Sequence, residues 1–208
     1  LRAAAGAGAI TEDDTGVLVR EDVLARGLPA SFETAQQARL DGLAGPARRV
    51  AAAIAAAGSG VRADALHGLV ERWEPSMLES LFDTGFVARK DDGLLLWTAP
   101  DLAEPLLASL PAGEREEIHR TLLARAARNP RQRFRHRLAI GDVTGALAEA
   151  ERAWSEHPEA SLAAQAAAAA AHDAAAAGTW HERHACRCMD EGRDEAAIVP
   201  LERALALG

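Results

Sequence analysis

Three groupings in this chain have residue types that could do chemistry. His181, His184 and Cys188 fall at i, i+3 and i+7, so a helix would gather them on one face, and metal sites do use i, i+3 or i+4 pairs. Cys186 points away from that face, Cys-x-Cys is not Cys-x-x-Cys, and no second cluster supplies a fourth ligand. The expectation is therefore no metal, with small cysteines used in packing. His119 follows Glu116 and Glu117, the residue types of acid–base catalysis. In a helix these three are neighbours by geometry alone, so no catalytic role is assigned. Gly6-Ala7-Gly8-Ala9-Ile10 offers a glycine pair but neither the third glycine nor the preceding strand of a dinucleotide loop.

Phosphate chemistry is constrained by one residue. A phosphate-binding loop of the form GxxxxGK[ST] needs a Lys after Gly. The single Lys of this chain, Lys90, follows Arg89 and precedes Asp91-Asp92. No GxSxG, HExxH or CxxC sequence is present. The concentrated positive segment is Arg125, Arg128, Arg131, Arg133, Arg135 and Arg137, which could meet phosphate or an acidic partner surface. The competing reading is a solvated junction whose arginines pair with nearby Glu and Asp.

The elements that must carry these residues follow from composition. The chain has 208 residues, 50 of them Ala, so one large or two small domains rich in helix are expected. With no Tyr and four each of Phe and Trp, the core is Leu/Ala/Val, which suits stacked helices better than a β-sandwich. Net charge is −8, against the basic face that nucleic-acid binding wants. No stretch of about 18 strongly apolar residues exists, so no transmembrane helix is expected. Two cysteines this close cannot staple a fold, and a cytoplasmic location is the expectation. The chain starts with Leu1 without a signal-peptide pattern, and reads as a piece of a longer protein.

Residues 1–28 mix a small-residue segment, an acidic turn and a short apolar stretch, Val17-Leu18-Val19, and read as a helix end, a loop and a short strand. After the boundary at 28–31 come a helix over 31–43, with Phe32, Ala35, Leu40 and Leu43 apolar, and one of small residues over 46–57. A third spans 61–71, with Leu66, Leu69 and Val70 inward. A fourth opens at Pro75, with Met77, Leu78, Leu81 and Phe82 at helical spacing. Two apolar runs at 86–88 and 94–97 flank Asp92-Gly93, a hairpin signal. Helices plus a β-hairpin in this order predict a winged helix. Its fourth helix carries Glu74, Glu79 and Asp83 and no Arg or Lys, so phosphate repulsion opposes DNA docking. Beyond it, Ile118, Leu122, Leu123 and Ala126 give one buried stripe, and Val143, Ala146, Leu147, Ala150 and Trp154 a second. A long Ala-rich helix is expected from Pro158 to near Gly178, then a pair over 179–190 and 194–207. Gly141-Asp142 and Gly192-Arg193 look like the same turn device, which predicts antiparallel helical repeats running past residue 208.

An ordered set of phrases resembles the region after the nucleotide-binding domain of STAND-class signal-transduction ATPases, including large ATP-binding LuxR-type regulators. These phrases are Leu28-Pro29-Ala30-Ser31, Ala38 to Leu43, Pro46 to Val50, Leu78 to Val87, Leu107 to Pro111 with Arg115 and Ile118-His119-Arg120, and Arg135 to Asp142 with Ala146. The resemblance covers residues 28–155 well and 156–208 loosely. It implies a mainly α chain: a tail of an ATPase domain or linker at 1–28, a winged-helix domain at 29–127, and tetratricopeptide-like helical repeats at 128–208. In many members a winged-helix His reaches the nucleotide phosphate. The matching phrase here is Trp97-Thr98-Ala99, so Ala99 departs from that sensor position, and an alanine methyl cannot donate to phosphate. The resemblance implies a non-catalytic regulatory and interaction segment with no cofactor of its own, ATP or ADP belonging to an upstream domain. Its partner would be another protein or that ATPase domain, with no membrane contact, and a homo-oligomer is compatible. The alternative is a DNA-binding winged-helix transcription factor with a helical effector domain.

Overall fold

A computed structural model of the chain describes residues 10–13, 16–19, 32–43, 45–58, 60–70, 74–126 and 129–207. It is mainly helical, with a small three-stranded antiparallel sheet. The chain divides into two compact units, Leu1–Ile118 and His119–Gly208.

In the first unit, β1 (Ile10–Asp13) and β2 (Gly16–Val19) form an antiparallel ladder, with Ile10 opposite Val19. The Val17-Leu18-Val19 stretch is thus a strand, and its partner is the run expected to lie at a helix end or loop. The expected boundary at 28–31 lies outside the described residues, as does the glycine pair at 6–8. Helix α1 (Phe32–Asp41) follows, with Leu40 and then Leu43 buried. The side chains of Phe32 and Ala35 lie outside the described residues.

Helix α2 (Gly45–Ala57) is the centre of this unit. Ala47 and every residue from Val50 to Ala57 are buried. A helix apolar on all sides has to be covered on all sides, and its small side chains let neighbours approach closely. Helix α4 (Pro75–Asp83), helix α5 (Ala103–Ala108) and strand β5 (Leu94–Trp97) all pack on it.

The segment 61–71 is not one helix. Val61–Arg62 is a strand, β3, and only Ala63–Leu66 is helical, as α3. Gly60 accounts for the difference. Its φ of 99° breaks the chain direction after α2, and a side chain there would meet Leu96 at 2.9 Å. That close approach seats β3 on β5, with Val61 opposite Leu95. The buried pattern of Leu66 and Leu69 survives. Strand β4 (Val87–Arg89) pairs with the other edge of β5, giving the order β3-β5-β4. Asp92 and Gly93 make the turn as predicted: the Leu94 amide donates to Asp92 Oδ1, and Gly93 has φ 80°. Phe86 stacks on Trp97 with ring centroids 5.4 Å apart.

Helix α6 (Ala112–Arg125) carries the division between the units. Ile118, Leu122 and Ala126 are buried, and Leu123 is half-buried. The second unit continues with α7 (Pro130–Ala139), α8 (Val143–Glu156), α9 (Ala160–Ala169), α10 (Ala174–Asp190) and α11 (Asp194–Leu207). Each packs on the next in sequence. Phe134, Ala146, Ala150, Leu162, Ala166 and Trp180 share one core. Val143, expected inward, is 39% exposed, because it stands in the first turn of α8 where the helix has only begun to face α7.

The long helix expected over 158–178 is two helices. A turn at 170–173 separates α9 from α10, and Gly178 lies inside α10. Alanine permits helix throughout, so the break is set by Asp173, whose carboxylate accepts from the Ala176 amide 3.1 Å away. Asp142 caps α8 in the same way through Gly145, at 2.9 Å. Gly141 and Gly192 have φ values of 77° and 68°, and Asp142 N and Arg193 N each reach back to the carbonyl five residues earlier. The two glycine turns therefore share one helix-ending device.

Candidate functional site

The arginine segment is largely spent inside the second unit. Arg133 and Arg137 stand four apart on α7 and so face the same side, towards α8. There Glu149, 3% exposed, accepts from Arg133 Nε at 2.8 Å. Arg137 Nε lies 3.6 Å from the same carboxylate, too long for a hydrogen bond, while its Nη1 pairs with Asp142. Arg152, on α8 itself, stands 3.5 Å from Glu149. Arg131 pairs with Glu159 and donates to Ser161 at 3.1 Å. Arg125 is exposed on the last turn of α6 and is also engaged. Arg135 is exposed, and Arg128 lies outside the described residues. The arrangement ties α7 to α8 and α9. Among the described residues it does not present a row of free cations.

Asp142 shows the same economy. Its carboxyl is held below the usual range first by the Gly145 amide and then by Arg137. One side chain thus caps α8 and neutralises a cation of α7.

His119 and His136 form a feature that spacing along one helix could not reveal. Their Nδ1 atoms are 3.2 Å apart, between α6 and α7. His136 is 2% exposed and His119 half-buried. Burial, then His119, then Arg135 push the His136 pKa down to about 4. At neutral pH the buried ring is uncharged, and one ring donates to the other. Glu117 turns instead to Arg49 of α2, so the Glu116-Glu117-His119 grouping is not brought together around a common substrate position. The chemical signal for the pair was two histidines in two helices, readable only once the helices are placed side by side.

His181 and His184 are half-buried on α10, and Cys188 is buried against Ala160, Ala185 and Ala197. Cys186 is exposed. Burial lowers the pKa of both histidines, with Arg203 adding to the effect at His181 and Arg193 at His184. Among the described residues no group of three His, Cys, Asp or Glu side chains could hold a metal ion. His181 also borders an open cleft of about 400 Å³ between α9, α10 and α11, lined by Ala164, Ala167, Ala171, Ala174 and Arg203.

In the first unit, Glu74, Glu79 and Asp83 are all exposed around α4. On the hairpin, Arg89 lies over the Phe82 ring at 5.2 Å. Ala99 contributes its backbone carbonyl, which accepts from Trp97 Nε1. Its side chain offers no donor. A second cleft, of about 490 Å³, is bordered by Pro46, Arg49, Val70, Glu74, Met77 and Glu114. Among the described residues, no helix is long and apolar enough to cross a membrane. No protein-family model, curated protein or solved structure matches the chain.

Proposed function

We propose that this chain is a non-catalytic regulatory and protein-interaction segment of a STAND-type ATPase, a winged helix followed by tetratricopeptide-like repeats. The observation that carries the reading is the element order α2-β3-α3-α4-β4-β5. The sheet order β3-β5-β4 places the early strand beside the hairpin, which is the arrangement a winged helix requires. The successive helices α7 to α11, joined by tight turns of one design, support the repeat reading. The mechanism implied is a switch: the segment packs on an ATPase core in one arrangement, and a partner that prefers another arrangement shifts the balance. Loss of a donor at Ala99 removes the sensor contact the resemblance implies, so nucleotide state would be read elsewhere. The DNA-binding alternative is disfavoured by the exposed carboxylates around α4.

The deciding observation is the coding sequence immediately upstream of the Leu1 codon. A GxxxxGK[ST] loop and an Asp-ending apolar strand there support the reading. An upstream domain without them overturns it.

A further inference from the structure

His119 and His136, seventeen positions apart on α6 and α7, meet at their Nδ1 atoms, 3.2 Å from each other. The rings do not stack. Their planes are tilted by 50° and their centroids lie 5.4 Å apart, so the contact runs through the nitrogen edges. His136 is 2% exposed, in a unit whose core is otherwise Ala, Leu, Phe and Trp. One neutral hydrogen bond offsets little of what burying an imidazole costs.

The same spacing suits a shared ion. Metal–imidazole bonds run about 2.0–2.1 Å, so two nitrogens on one ion lie about 2.9 Å apart at a right angle and about 3.4 Å apart at the tetrahedral angle. The observed 3.2 Å falls between these values. Imidazole nitrogen favours Zn²⁺, Cu²⁺ and Ni²⁺ over the oxygen-seeking Mg²⁺ and Ca²⁺. No proton has to leave the pair. In the hydrogen-bonded state one ring carries its proton on Nδ1. Moving that proton to Nε2 frees both Nδ1 lone pairs while both rings stay neutral. His119 is half-buried, which leaves the ion a way in from its side.

We propose that His119 and His136 hold a divalent ion of the zinc class through their two Nδ1 atoms, as a two-histidine clip between α6 and α7. Among the described residues no third His, Cys, Asp or Glu side chain stands near enough to complete the set. Water takes the remaining positions, so the ion exchanges, unlike that of a closed four-ligand structural site. Bound there, it ties the second half of α6 to α7. The regulatory reading has no resident ligand, so this site goes beyond it.

The test titrates the whole chain with Zn²⁺ under reducing conditions, by calorimetry and by imidazole ¹⁵N NMR. One ion per chain, saturating below roughly 0.1 mM, supports the proposal. Affinity should fall about tenfold or more in His119→Gln and in His136→Gln. It should be kept when His184→Ala and Cys186→Ser together dismantle the His/Cys grouping of α10. At saturation both rings of the pair should carry their proton on Nε2. Circular dichroism checks the folding of the variants, and the NMR readout needs no variant. Absence of saturation below that concentration overturns the proposal. So does binding that survives His119→Gln but not the α10 double variant, or an Nδ1 proton that persists on one ring at saturating Zn²⁺. Zinc binding at this pair does not depend on the sequence upstream of Leu1, so its failure and failure of the ATPase reading are told apart.

Discussion

Among the described residues, Glu149 and His136 are the buried polar side chains of the second unit, and their surroundings differ. Glu149 sits among three guanidinium groups, those of Arg133, Arg137 and Arg152. Its partners are unequal: Arg133 is 23% exposed in its side chain and Arg152 69%. Removing the carboxylate strands the part-buried Arg133 guanidinium, while Arg137 keeps Asp142, whereas removing Arg152 takes away a solvated pair. Glu149→Ala is therefore expected to lower stability by about 3 kcal/mol, and Arg152→Ala by well under about 1 kcal/mol, in urea unfolding. His136 avoids charge. Its folded pKa, about 4, lies below the ordinary 6.5, so the unfolded chain binds more protons between those values. The stabilisation is complete above pH 6.5 and lost as pH falls towards 4, on the order of 3 kcal/mol in all. His136→Phe should flatten that part of the stability–pH curve. An unchanged slope would show that His136 is not its source.

At the scale of elements, the glycines separate conformational need from mere space. Gly113 lies in α6, and a methyl added there would have nothing within 4 Å, so Gly113→Ala gains helix propensity, about 0.5–1 kcal/mol. At Gly145, an added methyl would run into Asp142 Oδ2, the oxygen paired with Arg137 on the carboxylate whose Oδ1 caps the same helix, and into Arg137 Nη1. Gly145→Ala must displace that cap and its ion pair, and a loss of about 1–2 kcal/mol is expected. Thermal unfolding of the two variants should move in opposite directions. The sequence made the same elements legible to different degrees. The fourth helix, the Asp92-Gly93 hairpin and the two glycine turns were readable because each has a local chemical signal. The strand at 61–62 was not, since pairing with β5 depends on a residue more than thirty positions away. The break at 170–173 was hidden because alanine on both sides carries no phase. Its one signal was Asp173, an N-cap residue in front of an alanine run. The His119–His136 contact and the burial of Glu149 required helix-on-helix placement, which periodicity does not supply. Of the arginines visible as a cluster in sequence, Arg131, Arg133 and Arg137 pair with carboxylates that only the helix placement brings near.

For the whole molecule, charge placement matters more than total charge. A net charge of −8 does not by itself forbid a local basic face. Among the described residues the arrangement opposes one: exposed Glu74, Glu79 and Asp83 surround α4, while Arg131, Arg133 and Arg137 are paired to carboxylates of their own unit. Binding to duplex DNA is dominated by phosphate neutralisation, and even non-specific binders reach about 10⁻⁴–10⁻⁶ M. The chain is expected to give no retarded band at roughly 10 µM protein and about 50 mM salt, conditions that favour weak electrostatic binding. Glu79→Lys with Asp83→Lys replaces two repulsive charges at exposed positions and should create weak binding that fades as salt rises, by about two cations' worth of slope. A salt-sensitive shift by the unaltered chain would instead favour the transcription-factor reading. Such a result would place the contact on the hairpin, where Arg89 and Lys90 are exposed, and not on α4.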